Sequence, residues 1–218
     1  MEWAQNIPTK PPGPQRKIQI DVQNVFLPGG SLEIKHGDEV IPVINKLQEH
    51  FKLVIATQDW HPISHKSFAS NHPGKEVYDT IELKGLSQVL WPDHCVQASP
   101  GANLSEKLSQ HRIEAVFRKG TNPDIDSYSA FFDNGHLKST GLADYLRGRG
   151  VTRLYIVGLA GDFCVYYSAK DSIKEGFETY VIEDAVRSVY PEKFAAVAAE
   201  IIKEGGFVTQ STELLSVV

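Results

Sequence analysis

Short apolar runs alternate with longer amphipathic stretches along most of this chain. The short runs are rich in β-branched residues and predict six strands, at residues 17–21, 52–59, 114–119, 153–158, 178–184 and 206–210. The longer stretches predict helices at residues 38–50, 103–110, 140–149, 163–175 and 191–204. Strands that alternate with helices are typical of a parallel sheet covered by helices. The pattern therefore predicts an α/β fold of three layers, a doubly wound, mostly parallel six-stranded sheet with helices on both faces.

Residue types that favour helix ends support several of these boundaries. Asp38 and Asn103 stand where N-caps are expected, and Gly150 and Gly176 stand where helices commonly end. The predicted helices therefore begin or end at positions that the local chemistry favours.

Two segments fall outside the alternating pattern. The first fifteen residues contain four prolines and no periodic apolar pattern, so we predict a flexible N-terminal tail at residues 1–15 and a single domain at residues 16–218. Residues 60–102 form a long connection, and such connections in compact domains are usually functional or disordered. The motifs DWHP and WPDHC at its two ends favour a function.

Charge and composition narrow the classes of partner. The 218 residues carry a net charge of −5 at pH 7 and lack the concentrated positive charge that binds nucleic acid or anionic membranes. The sequence also lacks a long apolar run and an apolar secretory signal, so we expect a soluble, intracellular and cytoplasmic protein. Two cysteines, Cys95 and Cys164, are too few for a disulfide scaffold.

Polar side chains collect where the predicted strands end. Asp21, Asp59 and Lys119 each end a strand, and Cys164 lies in the turn that follows another. Ligands of open α/β sheets bind beyond the carboxyl ends of the strands, so these groups are expected at one edge of the sheet.

Cys164 is the candidate nucleophile of this group. It lies where a strand gives way to a helix, and helix N-termini and nearby cations lower the pKa of a thiol. The amides of the same turn could stabilise an oxyanion. Asp21 could accept the thiol proton and Lys119 could hold that carboxylate in place. The alternatives are a buried structural cysteine, an aspartate that caps a turn and a lysine that reaches solvent.

A second group of residues has the chemistry of a metal site. Asp59 and His61 belong to DWHP, His94 belongs to WPDHC, and His65 is a possible fourth member. One carboxylate with two imidazoles suits zinc, iron or manganese. Histidines in loops are commonly just solvated, which is the alternative.

Aromatic residues lie close to both groups in the sequence. Trp91 precedes the proposed ligand His94 and Phe26 follows Asp21, so their rings could enclose a flat substrate. Core packing explains Phe26 equally well. Cys95 is expected to be a small buried apolar residue.

Six motifs in order give the chain a family resemblance. IDVQNVFLPGG, ATQDWHP, WPDHCV, FRKG, DSYSAF and GLAGDFCV resemble the nicotinamidase branch of the isochorismatase-like cysteine hydrolases, over about residues 17–190. Val25 and Leu27 depart from this family, in which an aspartate and a cysteine are usual. Neither position belongs to the proposed chemistry.

The resemblance implies a role for each candidate residue. The catalytic residues would be Asp21, Lys119 and Cys164, and the metal ligands would be Asp59, His61 and His94. The backbone amides of Ala160 and Cys164 would form the oxyanion hole, next to a cis peptide bond between Leu159 and Ala160. The walls of the substrate pocket would be Phe26, Trp91, Tyr128 and Phe163.

The resemblance also implies an activity. A protein of this kind would hydrolyse nicotinamide to nicotinate and ammonia through a thioester on Cys164, would feed NAD salvage and would act on pyrazinamide as well. It would bind one divalent metal ion per chain, with zinc the first choice and iron or manganese as alternatives. Its partner would be a small molecule, and the family suggests a homo-oligomer.

Three other functions stay open from the sequence alone. The first is a hydrolase of the same fold that acts on isochorismate, a carbamoyl amide, a ureide or another carboxamide. The second is a metal-binding or redox-sensing protein with a reactive Cys164. The third is a binding module that has kept the fold and lost the activity.

Overall fold

The computed structural model describes residues 16–215, and only the backbone of residues 16–20. The predicted tail at residues 1–15 and the last three residues lie outside the described residues. The strands are β1 (Arg16–Ile20), β2 (Leu53–Asp59), β3 (Thr80–Leu83), β4 (Leu86–Val89), β5 (Ile113–Lys119), β6 (Arg153–Leu159), β7 (Glu178–Arg187) and β8 (Phe207–Thr209). The α-helices are α1 (Val40–Gln48), α2 (Leu142–Gly148), α3 (Tyr166–Lys174), α4 (Phe194–Lys203) and α5 (Ser211–Leu215).

The main sheet has six strands in the order β5-β2-β1-β6-β7-β8. Every neighbouring pair in it is parallel. The first described strand, β1, therefore lies in the middle of the sheet, β2 and β5 extend one half outward, and β6 to β8 form the other half.

Alternate residues of the central strands enter two separate cores. Leu154 and Ile156 of β6 pack with residues of α2, α3 and α4, whereas Tyr155 and Val157 pack with residues of α1. Successive side chains of a strand point to opposite faces, so helices cover both faces of the sheet. The predicted α/β class is confirmed.

The predicted helix at residues 103–110 is wrong. Leu104 instead pairs with Gln23 in an isolated bridge, and the amide of Ser105 donates to the carbonyl oxygen of Val22 at 2.9 Å. These contacts hold the segment extended against the residues after β1. Asn103, predicted as an N-cap, follows a short 3-10 turn.

The predicted helix ends are right in part. Asp38 is not an N-cap, because it lies inside the 3-10 turn Gly37–Glu39 that precedes α1. Gly150 and Gly176 both lie one residue beyond the C-caps of α2 and α3, with φ of 65° and 87°. A left-handed residue at this position is the usual end of a helix.

The long connection at residues 60–102 contains a hairpin that we did not predict. Strands β3 and β4 pair antiparallel as a sheet of their own. Lys84 and Gly85 form the turn, and both have positive φ, as two-residue hairpin turns require. Among the described residues, no helix is both long enough and apolar enough to cross a membrane.

Candidate active site

The candidate site lies at the carboxyl ends of four adjacent strands. Asp21 follows β1, Asp59 ends β2, Lys119 ends β5 and Cys164 follows β6. In the sheet these strands are neighbours, and Asp59 and Lys119 are register partners. The side chains that the sequence placed at one edge of the sheet are therefore in mutual contact.

The ammonium group of Lys119 lies at the centre of these contacts. Its Nζ is 2.9 Å from Asp21 Oδ2, 3.2 Å from Asp59 Oδ1 and 3.5 Å from Cys164 Sγ. It also donates a hydrogen bond to the carbonyl oxygen of Ser127 at 2.9 Å. The Lys119 side chain is only 1% exposed, so these contacts replace water around its charge.

Asp21 is held on both its backbone and its side chain. The Thr57 hydroxyl donates to Asp21 Oδ1 at 2.7 Å and accepts from the Asp21 amide at 3.1 Å. Asp21 has a φ of 42°, a region that residues other than glycine seldom occupy. With Oδ1 bound by Thr57, Oδ2 is the oxygen that faces the Lys119 ammonium.

Burial sets the charge states of these groups. Burial raises the pKa of Asp21, although Lys119 lowers it in part. Burial lowers the pKa of Lys119, but Asp21 and Asp59 outweigh this effect and hold it well above its usual range. Lys119 is therefore a permanent cation beside two carboxyl groups.

The Cys164 thiol does not have the lowered pKa that the sequence led us to expect. Burial raises its pKa well above the usual range, and the attraction of Lys119 offsets only part of the rise. The resting thiol is therefore protonated. A reaction at its sulfur requires a group that removes the proton.

The turn that carries Cys164 is tightly built. The bond between Leu159 and Ala160 is cis, and a π-helical turn at Gly161–Val165 leads into α3. A Cβ at Gly161 would lie 2.5 Å from Ser188 Oγ, so only glycine fits there. The Asp162 carboxylate accepts hydrogen bonds from the amides of Val189 and Tyr190 at 3.0 and 2.8 Å, which fixes the turn to the segment after β7.

Asp59, His61 and His94 form a candidate metal centre. Their ligand atoms all lie within 4.8 Å of one another, and all three residues are buried. Asp59 Oδ2 is 3.0 Å from His61 Nε2 and 3.6 Å from His94 Nε2. A Cβ at Gly120 would lie 2.3 Å from the ring of His61, so the backbone packs directly against this ligand.

The hydrogen bonds of the two histidines fit metal binding. His61 Nδ1 is 2.9 Å from the carbonyl oxygen of Gly120, and His94 Nδ1 is 2.8 Å from that of Pro92. Since a carbonyl oxygen can only accept, each Nδ1 carries the proton and each Nε2 keeps a free lone pair. His61 Nε2 is buried and makes no hydrogen bond, as expected of an atom meant for a metal ion.

His65 is buried beside this centre, with its ring 4.2 Å from that of His61. His65 Nδ1 lies 2.7 Å from the Ser67 hydroxyl oxygen and 3.2 Å from the Ser67 amide nitrogen, so Ser67 fixes the orientation of the ring. Burial lowers the pKa of His65 to about 4, so the ring is neutral. His65 Nε2 is buried and makes no hydrogen bond, as is the case for His61 Nε2, and His65 groups with His61 and Asp126 as a candidate ligand set.

An aromatic cleft opens beside both the thiol and the metal centre. It encloses about 370 Å³, part of it open to solvent, and its lining includes Asp59, His94, Ala160 and Cys164 together with the four predicted aromatic residues, Phe26, Trp91, Tyr128 and Phe163. The rings of Trp91 and Phe163 meet edge to face with centroids 4.9 Å apart. A flat ligand in this cleft would contact the thiol and the metal ligands together.

Sequence reasoning missed three polar residues of the site. Asp126 lines the cleft and groups with His61 and His65. The side chain of Gln23 holds the backbone of Asp59. Its Oε1 accepts from the Asp59 amide at 2.8 Å, and its Nε2 donates to the Asp59 carbonyl oxygen at 2.9 Å. Gln88 of β4 is buried against Asp126. Asp126 and Gln23 belong to the motifs DSYSAF and DVQN, whereas Gln88 carries no comparable signal.

Comparison with known proteins agrees with the motifs. The isochorismatase domain family matches residues 18–213. The nicotinamidase of Acinetobacter baylyi is 49% identical over 172 residues, which cover 79% of this chain and 80% of that protein.

Two solved structures extend this agreement to three dimensions. The structure of an Acinetobacter baumanii nicotinamidase and pyrazinamidase has a TM-score of 0.90 and 44% identity, and covers 94% of this chain and 100% of that one. The zinc complex of a pyrazinamidase from Pyrococcus horikoshii has a TM-score of 0.75 and 36% identity. The match covers 91% of this chain and 99% of that one. The resemblance seen in the motifs is thus confirmed. The chain belongs to the isochorismatase domain family, and its similarity within that family is to nicotinamidases.

Proposed function

We propose that this protein is a metal-dependent cysteine amidohydrolase that converts nicotinamide and water to nicotinate and ammonia. The observation that carries the proposal is a single aromatic cleft that adjoins both Cys164 and the group of Asp59, His61 and His94. The similarity to nicotinamidases supports this substrate. Because Asp21 and Lys119 surround the thiol, turnover is favoured over a reactive thiol that only senses oxidants.

The first half of the reaction forms a thioester. Asp21 removes the proton of Cys164, and the sulfur attacks the carboxamide carbon of the substrate. The backbone amides of Ala160 and Cys164 hold the oxyanion. When the carbon–nitrogen bond breaks, Asp21 gives the proton to the leaving nitrogen, and ammonia departs.

The second half of the reaction releases the acid. Asp21 takes a proton from water, and the resulting hydroxide attacks the thioester carbon. The carbon–sulfur bond breaks, the proton on Asp21 returns to the sulfur, and the acid leaves as nicotinate after it loses its proton to solvent. Asp21 therefore ends each turnover in the state in which it began.

Lys119 acts as an electrostatic partner throughout. Its ammonium lies within 3.5 Å of both Asp21 and Cys164, so it stabilises whichever of the two is negative. The negative charge can move from carboxylate to sulfur without losing its cation. This arrangement compensates for the raised pKa of the thiol.

Asp59, His61 and His94 would hold a metal ion that orients the substrate ring. A divalent ion held by Asp59, His61 and His94 would supply an open position for the pyridine nitrogen. We propose zinc, with support from the zinc complex of the Pyrococcus horikoshii pyrazinamidase. Phe26, Trp91, Tyr128 and Phe163 would enclose the ring.

The remaining proposals concern the protein as a whole. We propose a single domain at residues 16–218, and the support is a main sheet whose strands run from residue 16 to residue 209. Nicotinate would enter NAD salvage, and the chain would assemble as a homo-oligomer.

Release of ammonia from nicotinamide by the purified, metal-loaded protein tests the proposed function. We expect ammonia and nicotinate in equal amounts, and we expect pyrazinamide to be hydrolysed as well, since its ring also offers a nitrogen at the same position. Turnover of another carboxamide without any turnover of nicotinamide would contradict the proposed substrate.

Removal of the metal should weaken the binding of nicotinamide in particular. After chelation we expect the KM for nicotinamide to rise about tenfold or more, while that for benzamide, which has no ring nitrogen, changes less than about twofold. Steady-state kinetics before and after chelation, and again after zinc is restored, provide the measurement. An equal rise for both amides would exclude the orienting role.

A further inference from the structure

Gln88 is a buried polar residue in an element that lies outside the main sheet. It is only 3% exposed and belongs to β4, the second strand of the separate hairpin. Its side-chain nitrogen donates to Asp126 Oδ2 at 3.0 Å, to the Tyr128 hydroxyl oxygen at 3.0 Å and to its neighbour's carbonyl oxygen, that of Val89, at 2.8 Å. The hairpin therefore contacts the candidate site through a polar side chain.

The orientation of the Gln88 amide follows from its partners. An ionised carboxylate and a backbone carbonyl can only accept hydrogen bonds, so the nitrogen of the amide must face Asp126 and Val89. A side-chain amide has only two hydrogens, so its three acceptors share them. Because the group is buried, water does not replace a donor that is lost.

The two side-chain partners of Gln88 belong to different halves of the candidate site. Tyr128 is part of the aromatic wall, where its hydroxyl also accepts from Trp91 Nε1 at 3.2 Å. Asp126 groups with His61 beside the metal ligands. Gln88 is therefore a direct link between the wall that would hold the substrate ring and the centre that would orient it.

We infer that Gln88 is a positioning residue that fixes the distance between the aromatic wall and the metal centre, and so sets the fit of the pyridine ring. The inference rests on the proposed function. Gln88 does not line the cleft, so it acts through Tyr128 and Asp126. Its loss should therefore impair substrate binding more than the attack by Cys164.

The central variant is Gln88→Met, which keeps the length of the side chain and removes both donors. We expect the KM for nicotinamide to rise about tenfold while kcat falls less than about threefold, because binding is lost and the nucleophile is untouched. Gln48→Met is the matched control, since Gln48 is a fully buried glutamine on α1. We expect the control to lower the melting temperature and to leave KM unchanged.

A double-mutant cycle with Tyr128→Phe tests the route of the effect. Phenylalanine removes the oxygen that Gln88 and Trp91 hold, so Tyr128→Phe should also raise KM. If the two residues act together, the fold-increase in KM of the double variant is well below the product of the fold-increases in the two single variants. Should Gln88→Met fail to fold, Gln88→Leu takes its place in the same measurements, because leucine also removes both donors.

Wild-type turnover, measured alongside, separates the two claims. An active wild type with an unchanged KM in Gln88→Met overturns the positioning role and leaves the proposed function standing. Single effects on KM that simply multiply in the double variant, or a loss confined to kcat, also overturn it. A wild type without turnover contradicts the proposed function itself.

Discussion

Cys164→Ala is expected to abolish ammonia release from nicotinamide, with a loss of at least about 10³-fold in kcat. Alanine keeps the shape of the turn and removes the sulfur that forms the thioester. No other described side chain in the cleft offers a thiol in its place. A sensitive ammonia assay with the wild type in parallel gives the measurement.

The chain supplies its own control for this variant. Cys95 is also buried and has no partner in a disulfide, yet it does not line the cleft. Cys95→Ala should therefore retain activity within a few fold of the wild type. Comparable losses in both variants would point to damage to the fold, and substantial turnover by Cys164→Ala would exclude the thioester mechanism.

The second large effect is expected for Asp21→Asn. The resting thiol of Cys164 is protonated because burial raises its pKa, so a base must remove the proton in each turnover. Asparagine has nearly the same shape as aspartate but cannot take up that proton. General acid–base catalysis is worth about 10² to 10⁴ in rate, and we expect kcat to fall by this factor.

Binding and folding measurements separate a catalytic loss from a structural one. Asp171→Asn is a suitable control, since Asp171 is 4% exposed on α3 and pairs with His136 at 3.3 Å, away from the cleft. It should keep the activity of the wild type. Near-normal turnover by Asp21→Asn would remove Asp21 from the mechanism, whereas loss of its near-ultraviolet circular dichroism would show that the fold had failed.

Elements whose stability comes from local pattern can be predicted from the sequence. All six strands of the main sheet lie within a few residues of the predicted ranges, because buried parallel strands are short apolar runs. The helix predicted at residues 103–110 does not form, because bonds to Val22 and Gln23 outweigh the local preference. The hairpin has a partial signal, since Thr80–Leu83 alternates before Lys84 and Gly85, but the next four residues do not alternate and the length of the connection hides it.

The candidate site divides in the same way. The rule that ligands bind at strand ends is enough to group Asp21, Asp59 and Lys119 from the sequence alone. The rule cannot find Gln88, whose importance depends on contacts with Asp126 and Tyr128 across about forty residues of chain. The raised pKa of Cys164 is also beyond prediction, because burial depends on the packing of the whole site.

The separate hairpin has a consequence for how this protein could be altered. The nucleophile and its base follow β6 and β1 in the middle of the main sheet, whereas β3 and β4 pair only with each other in a sheet of their own. Chain length and sequence in the hairpin can therefore change without shifting the strands that carry the reacting groups. Libraries confined to residues 78–90 offer a route to new ring specificities while the hydrolytic residues stay unchanged.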